Sequence, residues 1–472
     1  MVHLGPRPAV QSGASVAHPS LPLRPLDRAD PAPLPAQVAA QVRALVLEGT
    51  LALHDRLPGS RTLAAELGVS RAVVQQAYDQ LVAEGWAAAR HGSGTVVAST
   101  GLAPTPQRGP RTPRPAGGLV RLDTGTPWVD PRQRSGWRRA WREVSAAHPP
   151  RGYEDPRGLL ALREAIAERL ARTRGLVVHP DEVMTTNGTT DALRHLLLSL
   201  PAGAVAVEDP GYRAVVALAG AVGREVVDLE PGRAPGSLAG CAAAYLTPAH
   251  QHPLGTVLPA PARLAVLEVA RAAGTLVVED DYDSEFRWDV APVPAMAALD
   301  RDRVAYVGSA SKSVSPSLRL GWLVAPPGVH ERVVALRAAT HDAVPWPVQR
   351  AFLSLLRDGY VDRVVRAGRR VYADRLPRVV EALSPYAELT APPAGMYVAW
   401  RMPEHRARAA RDAAREAGFE VPMLADYCRR AGDTGLVLGV GGCTDEELDR
   451  ALAALVAGLR RGGDGDGPPR SP

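Results

Sequence analysis

Lys312 is the only lysine in a chain of 472 residues whose lysines and arginines total 55. Asn187 and Ile166 are also the sole representatives of their types, a skew expected of a GC-rich genome that replaces such residues wherever arginine, aspartate or valine serves. An amine can lose its proton and become a nucleophile, whereas a guanidinium stays charged. A lysine retained alone points to amine chemistry, although Ile166, equally rare in an ordinary helical pattern, shows that rarity does not prove a role. Lys312 follows an apolar strand, in the loop where α/β sheets hold their ligands, within Gly308-Ser-Ala-Ser-Lys-Ser-Val-Ser-Pro-Ser-Leu-Arg-Leu-Gly-Trp322. The hydroxyls of Ser309 and Ser311 and the cation of Arg319 can hold a phosphate on one side of the amine. An amine beside a phosphate suits a Schiff base with pyridoxal 5'-phosphate, an aldehyde cofactor for which lysine has no substitute. A solvated lysine on a surface loop is the plainer alternative.

Two further segments would complete such a site. Val183-Met-Thr-Thr-Asn-Gly-Thr-Thr-Asp-Ala-Leu193 reads as strand, glycine turn and helix. Free amides at that helix start, after Gly188, form a phosphate cradle with the hydroxyls of Thr189 and Thr190; a simple helix cap explains the same residues. Leu276-Val-Val-Glu-Asp-Asp-Tyr-Asp-Ser-Glu-Phe286 is an apolar strand ending in a burst of acids. Carboxylates at the end of a buried strand are costly unless they meet a cation or a metal. An aspartate there can keep the cofactor's ring nitrogen protonated, so that the ring withdraws electrons. A magnesium site of Glu279, Asp280, Asp281 and Asp283 competes, and is weakened by the matching lysine and phosphate loop.

Such groups need an α/β scaffold. Residues 120–462 alternate helical patterns with short apolar strands at 182–185, 204–207, 243–246, 275–278, 304–307 and 320–324, which predicts a mainly parallel sheet covered on both faces. From Arg366 onward a long helix and short strands near 395–400 and 436–440 suggest a small C-terminal subdomain. Residues 463–472 are Gly, Asp and Pro-rich and read as a disordered tail. In 98–119, Pro104, Pro106, Pro110, Pro113 and Pro115 alternate with Arg108, Arg111 and Arg114, giving an extended basic linker. Residues 1–33 hold seven prolines and no apolar periodicity, so they read as a flexible tail.

Between tail and linker, residues 34–97 predict three helices and a hairpin. The first carries Val38, Val42, Leu45 and Val46 on one face and ends at Gly49; the second spans 61–67; the third spans 71–84 with Ser70 as its cap. Strands at 86–90 and 95–98 pair around His91-Gly-Ser-Gly94. This is the pattern of a winged helix-turn-helix, whose third helix enters the major groove of DNA. Ser70, Arg71, Gln75 and Gln76 are its exposed candidates, with Val74, Ala77, Tyr78 and Leu81 buried. Arg61 is placed for a phosphate, and the His91–Gly94 tip is small enough for a minor groove. Five arginines face five acids in this segment, so charge alone leaves a small helical protein-interaction domain as the alternative. Asp55-Arg-Leu-Pro-Gly-Ser-Arg-Thr-Leu-Ala-Ala-Glu-Leu-Gly-Val-Ser-Arg71, with Gln76-Ala-Tyr78 and Arg90-His-Gly-Ser-Gly-Thr95, closely resembles the DNA-binding domain of GntR-type regulators. The resemblance implies that Arg61, Ser70 and Arg71 contact DNA and that His91 and Gly92 approach the minor groove. Where Val73 stands, the family often has threonine.

The larger segment resembles fold-type I aminotransferases, and the whole chain resembles MocR-type regulators, a GntR-like winged helix fused to an aminotransferase-like domain. The matching stretches are Gly152-Tyr-Glu-Asp-Pro-Arg-Gly158 with Leu162-Arg163, Thr247-Pro-Ala-His-Gln-His-Pro-Leu-Gly255, Glu279-Asp-Asp-Tyr-Asp-Ser-Glu-Phe286 and the segment 309–321. The resemblance implies that Lys312 forms the Schiff base, Asp280 pairs with the ring nitrogen, Tyr282 bonds the phenolic oxygen and Tyr212 stacks on the ring. Gly188, Thr189, Ser309 and Arg319 match phosphate contacts, and Tyr153 matches a tyrosine reaching the phosphate from a neighbouring subunit, which implies a homodimer. Two departures matter. Aminotransferases carry Asn-Pro-Thr-Gly where this chain has His252-Pro-Leu-Gly255, so the partner of the phenolic oxygen differs and His252 stands in its place. They also clamp the substrate carboxylate with an arginine in a late strand, where this chain has Gly435-Leu-Val-Leu-Gly-Val440 with Val437 near the position.

Composition is consistent with this picture: 46% hydrophobic and 22% charged residues suit a globular protein. No apolar run reaches the roughly 18 residues of a membrane helix, no secretory signal opens the chain, and Cys241, Cys428 and Cys443 fit neither a disulfide framework nor a zinc site. The expectation is a cytoplasmic transcriptional regulator that binds double-stranded operator DNA and, through pyridoxal 5'-phosphate, senses a small amine, an amino acid or the cofactor itself. The competing expectations are an active aminotransferase with an accessory DNA-binding domain, and a regulator that keeps the large domain only as a dimerisation scaffold. The intact Lys312, Asp280 and Tyr282 weigh against the last.

Overall fold

Helix α1 (Leu34–Leu47) buries Val38, Ala39, Val42, Leu45 and Val46, the stripe of an amphipathic helix. In the computed structural model, residues 21–90, 94–98, 118–129, 134–290, 293–430 and 432–463 are described. They fall into two units, one within residues 1–113 and one within 114–472. In the first, α1 packs with α2 (Ser60–Leu67) and α3 (Arg71–Ala83), and the hairpin β1 (Ala87–Arg90) and β2 (Gly94–Val97) follows. The core is Leu63, Val74, Ala77, Tyr78 and Leu81 with the α1 stripe. Helix α2 stops at Gly68, whose φ of 64° is left-handed, a conformation glycine adopts without steric cost, and the chain turns at once into α3. The Tyr78 hydroxyl donates to the Pro58 carbonyl at 2.8 Å, pinning α3 to the loop before α2.

Two expectations need correction here. Ser70 occupies the N-cap position of α3, but its hydroxyl makes no capping bond; the Val73 amide closes the first turn on the Ser70 carbonyl instead. Residues 21–33 are not part of a flexible tail. Leu21, Leu23 and Leu26 pack against the core, and Gln41 and Gln37 on α1 bond the backbone of Arg24 and Asp27. The leucines show no period because they lie as an irregular strap, whose burial depends on a helix face elsewhere in the sequence. Residues 1–20, the wing tip at 91–93, the segment 99–117 and residues 464–472 lie outside the described residues.

The second unit runs β3 (Val120–Arg121), α4 (Arg134–Ala146), α5 (Leu160–Arg174), β4 (Val183–Thr186), α6 (Thr189–Ser199), β5 (Ala204–Glu208), α7 (Arg213–Ala221), β6 (Val226–Leu229), β7 (Cys241–Leu246), α8 (Ala260–Ala273), β8 (Leu276–Asp281), β9 (Val304–Ser309) and β10 (Gly321–Val324). It continues with α9 (Pro327–Thr340), α10 (Trp346–Arg357), α11 (Tyr360–Leu383), β11 (Glu388–Leu389), β12 (Tyr397–Arg401), α12 (Glu404–Glu416), β13 (Phe419–Glu420), β14 (Gly435–Gly439) and α13 (Asp445–Gly463). Seven strands form one sheet in the order β4-β10-β9-β8-β7-β5-β6. Only β10 runs against its neighbours; the other pairs are parallel. Side chains alternate between two faces. Ala243, Tyr245, Val278 and Val307 meet Leu193 and Leu196 of α6 and Val215 of α7. Ala244, Leu246, Val277 and Tyr306 join the larger core on the other face, with α5, α8 and α11. Both faces are covered, as continuously apolar strands require.

The C-terminal subdomain has an antiparallel sheet, β11-β12-β14, and a separate parallel pair of β13 with β3. Thus the first strand of the unit is built into its last subdomain. No helix among the described residues is long and apolar enough to cross a membrane.

Candidate functional site

The C-terminal ends of the parallel strands open into a cavity of about 510 Å³, where open α/β sheets bind ligands. Asp280 at the end of β8 and Tyr282 just after it, Ser309 at the end of β9 with Ser311 and Lys312 after it, Thr247 and His252 after β7, and Tyr212 after β5 all line it, with Thr189 and Thr190 at the start of α6 and Arg319 before β10. Gly188, with φ of 92°, precedes α6. A Cβ at Gly188 would lie 3.4 Å from the Arg319 guanidinium, which places that cation beside the helix start. Ser311 donates its amide to the Ser309 hydroxyl at 3.1 Å, and the two hydroxyls lie 2.9 Å apart. This wall gathers a helix N-terminus, hydroxyls and a guanidinium, the chemistry of a phosphate cradle.

Lys312 Nζ donates to the carbonyls of Thr124 at 3.0 Å and Gly125 at 2.8 Å. Burial lowers its pKa, while Asp283, Asp123 and Asp280 oppose the shift, so the amine gives up its proton more readily than a surface lysine. Asp280 accepts the Tyr245 hydroxyl on Oδ2 at 2.6 Å, whereas its Oδ1 is buried without a hydrogen-bond partner. Burial, reinforced by Asp281 and Asp283, pushes the Asp280 carboxyl up to about 7 against the opposing Tyr245 hydrogen bond and Lys312 charge. An orphaned carboxylate oxygen on the wall of a cavity that also holds the only lysine fits a ligand with a protonated ring nitrogen. The donor set therefore fits pyridoxal 5'-phosphate.

The four carboxylates of the acidic burst do not converge on one ion, as a magnesium site would require. Strand alternation sends Asp281 to Arg174 at 2.6 Å and to the Tyr306 hydroxyl at 2.5 Å, and Glu279 accepts the Ala297 amide at 3.1 Å. Asp283 pairs with His250 at 2.6 Å, both side chains deeply buried. Beside that pair the Tyr282 hydroxyl lies 2.6 Å from the Tyr397 hydroxyl and donates to the His250 carbonyl at 3.0 Å. Burial, followed by the Asp283 charge, raises Tyr282 well above the ordinary tyrosine range, so it stays a hydrogen-bond donor. His252 stands edge-on to Tyr212, Tyr282, Tyr397 and Tyr427 at 5.1–6.0 Å between ring centroids. Burial lowers its pKa to about 3, helped by Lys312 and His250, which leaves a neutral imidazole.

Two residues named from sequence stand apart from this cavity. Tyr153 is 85% exposed and stacks on His341 at 4.4 Å. Val437 sits in β14 opposite Ala399 of β12, fully buried in the hydrophobic core. Sequence reasoning missed Asp123, Thr124 and Gly125, Tyr245, Arg213 and Tyr427, which also line the cavity. Tyr245 lies in an apolar strand where its hydroxyl carries no signal, and Thr124 and Gly125 act through their carbonyls, which any residue possesses.

In the first unit Arg61, Ser70, Arg71, Gln75 and Gln76 are all exposed, on α2 and on the open face of α3. Arg71 Nε donates to the Ser60 hydroxyl at 3.2 Å, and Gln75 donates to Asp79 at 3.0 Å. Their free donors and acceptors form a polar surface at the N-terminal end of α3, opposite the buried Val74, Ala77, Tyr78 and Leu81. His91 and Gly92 lie outside the described residues.

A profile of the bacterial regulatory proteins of the gntR family matches residues 34–97. One of the aminotransferase class I and II family matches residues 119–455. The chain is 34% identical over 437 residues to the HTH-type pyridoxine biosynthesis transcriptional regulator PdxR of Corynebacterium glutamicum, covering 90% of this chain and 96% of that protein. It is 34% identical over 379 residues to the probable rhizopine catabolism regulatory protein MocR of Rhizobium meliloti, covering 74% of this chain and 77% of that one. Among solved structures, the α-aminoadipate aminotransferase LysN of Thermus thermophilus shares the fold of the large unit. Its TM-score is 0.63 at 24% identity, over 74% of this chain and 94% of that chain.

Proposed function

The chain belongs to the MocR-type transcriptional regulators, a gntR-family helix-turn-helix joined to an aminotransferase class I and II domain, and on that premise we propose that it controls transcription by sensing a small ligand through pyridoxal 5'-phosphate. The observation that carries the reading is the pairing, in one cavity, of the only lysine with a buried aspartate whose Oδ1 has no partner. When bound, the cofactor supplies an electrophilic carbon and an electron-withdrawing ring. Lys312 holds it covalently, and Asp280 accepts the ring N–H. Tyr282 donates to the phenolic oxygen, with the neutral His252 beside it, and Tyr212 covers the ring. Gly188, Thr189, Thr190, Ser309, Ser311 and Arg319 hold the phosphate, completed by Tyr153 of the partner subunit in a cytoplasmic homodimer. Arg61, Ser70, Arg71, Gln75, His91 and Gly92 carry the contacts to operator DNA.

A sensor is favoured over an aminotransferase because the late strand offers Val437, locked in the core, in place of a carboxylate-clamping arginine. A ligand can still meet the cofactor with its amine, yet without that clamp its Cα–H bond is seldom aligned for transfer. The test is a screen of amino acids and amines with pyruvate and 2-oxoglutarate, following cofactor absorbance, keto-acid product and operator binding together. Absorbance and operator binding should respond to at least one ligand while product forms slowly or not at all. Turnover at about 1–1000 per second would establish an enzyme instead.

A further inference from the structure

We propose that Arg213 receives the anionic end of the effector, and that the effector is therefore a carboxylate-bearing amine such as an amino acid, not a bare amine. The proposal rests on the sensor reading above and names the ligand class of the same cavity. Four cationic side chains line the cavity: Lys312, Arg319, Arg121 and Arg213. Lys312 donates to two backbone carbonyls. Arg121 is paired with Asp123 at 2.7 Å and with Glu420 at 3.5 Å. Arg319 lies against Gly188 at the start of α6, where the phosphate cradle is. Arg213 is left: half-buried on the cavity wall, it makes no hydrogen bond or ion pair among the described residues. A guanidinium cannot shed its proton, so its acceptors at this wall must come from ligand or water, and a carboxylate matches its fork in two parallel bonds.

The acids nearest in sequence are engaged elsewhere. Glu208 accepts the Thr247 amide at 3.0 Å and hydroxyl at 2.9 Å, and Asp209 accepts the amides of Arg429 at 2.6 Å and Arg430 at 2.9 Å. The base of Arg213 is also held firmly. The turn before it brings Gly211 so close to the Glu208 carbonyl that a Cβ would collide with it, and the Gly211 amide donates to the Tyr427 carbonyl at 3.1 Å. Arg213 therefore projects from a fixed point beside Tyr212. Glu420, Pro422 and Asp426 also line the cavity and offer a carboxylate no cation, and the fully buried Val437 donates its backbone amide to the Pro422 carbonyl at 3.0 Å. A carboxylate is thus held from the Tyr212 side of the cavity and not from the late strand, a placement that permits recognition without the geometry of transamination.

The experiment uses the full-length, cofactor-loaded protein and matched pairs: L-alanine with ethylamine, L-leucine with 3-methylbutylamine, L-phenylalanine with phenethylamine. Affinities are read by calorimetry and by titration of cofactor absorbance, for the parent protein, Arg213→Gln and Arg213→Lys, each checked for an unchanged melting temperature. The parent should bind the amino acid of at least one pair about 10–100-fold tighter than its amine. Arg213→Gln should abolish that gap while leaving amine affinity unchanged, and Arg213→Lys should keep part of it. A gap that survives in Arg213→Gln, or a parent that prefers the amines, overturns the assignment of Arg213 while the sensor reading stands. A parent that binds neither series overturns the proposal together with the amine-sensing reading beneath it.

Discussion

Replacing Asp280 with asparagine should make the cofactor-free protein more stable at high pH and at the same time damage cofactor binding. The Asp280 carboxyl is 4% exposed, and burial raises its pKa from an ordinary 3.8 to about 7, with Asp281 and Asp283 adding to the rise. A folded pKa above the unfolded one means that stability is full below about pH 4, falls as pH rises, and levels off above about pH 7. Each pH unit between the folded and unfolded pKa corresponds to about 1.36 kcal/mol, so ionised Asp280 costs about 4 kcal/mol. For a unit of about 340 residues, an unfolding entropy of about 2.1 cal/mol/K per residue converts this to about 6 °C in melting temperature. Asparagine keeps an acceptor for the Tyr245 hydroxyl and carries no charge. Asp280→Asn should therefore melt about 6 °C higher than the parent near pH 8 and about equally near pH 4. Glu208 and Glu279 are also raised by burial, but both proteins contain them, so their titration cancels in the difference. The assay is scanning calorimetry on cofactor-stripped protein across this pH range, repeated with pyridoxal 5'-phosphate added. With cofactor the order should invert, because only the aspartate offers a charge to the ring nitrogen. Equal melting at pH 8, or a loss of stability at every pH, would refute the reasoning.

Reduction of the cofactor-loaded protein with borohydride should leave the cofactor on Lys312 alone, read by peptide mass mapping; label elsewhere, or parent-like absorbance in Lys312→Ala, contradicts the attachment. Arg71→Ala should narrow the preference for operator over random DNA by about 1–3 kcal/mol, whereas Arg61→Ala should weaken both and lower the salt slope by about one; fluorescence anisotropy at several salt concentrations separates them. Gly188→Ala should weaken cofactor binding by about tenfold or more, since φ of 92° strains any side chain at the helix start that lines the cradle; equilibrium dialysis that shows parent affinity argues against this cradle.

The winged-helix elements are legible because they are local. The α1 stripe, the Gly68 stop and the alternation of exposed and buried residues along α3 are written within a few turns of chain, and a helix period needs no distant partner to be read. The mainly parallel architecture is legible for a related reason: central strands buried on both faces are continuously apolar. Strand β6 is harder to read because it lies at the sheet edge, with a burial pattern that alternates weakly. The strap at 21–33 reads as tail because its leucines are buried only by a helix face that lies elsewhere in the sequence.

For the site, residue type carried the information where chemistry demands one side chain. A sole lysine, an aspartate at a strand end and a glycine before a helix are recognisable anywhere. Tertiary structure decided what depends on position alone. It divided the acids of one strand by alternation, Glu279 and Asp281 meeting Arg174 while Asp280 faces the cavity, and it brought Thr124 and Gly125 to Lys312 across 187 and more residues through the pairing of β3 with β13. It also left Arg213 as a guanidinium without a partner among the described residues of the cavity wall. Which arginine of many stands unpaired follows from the positions of every nearby carboxylate, and those positions exist only once the chain is folded.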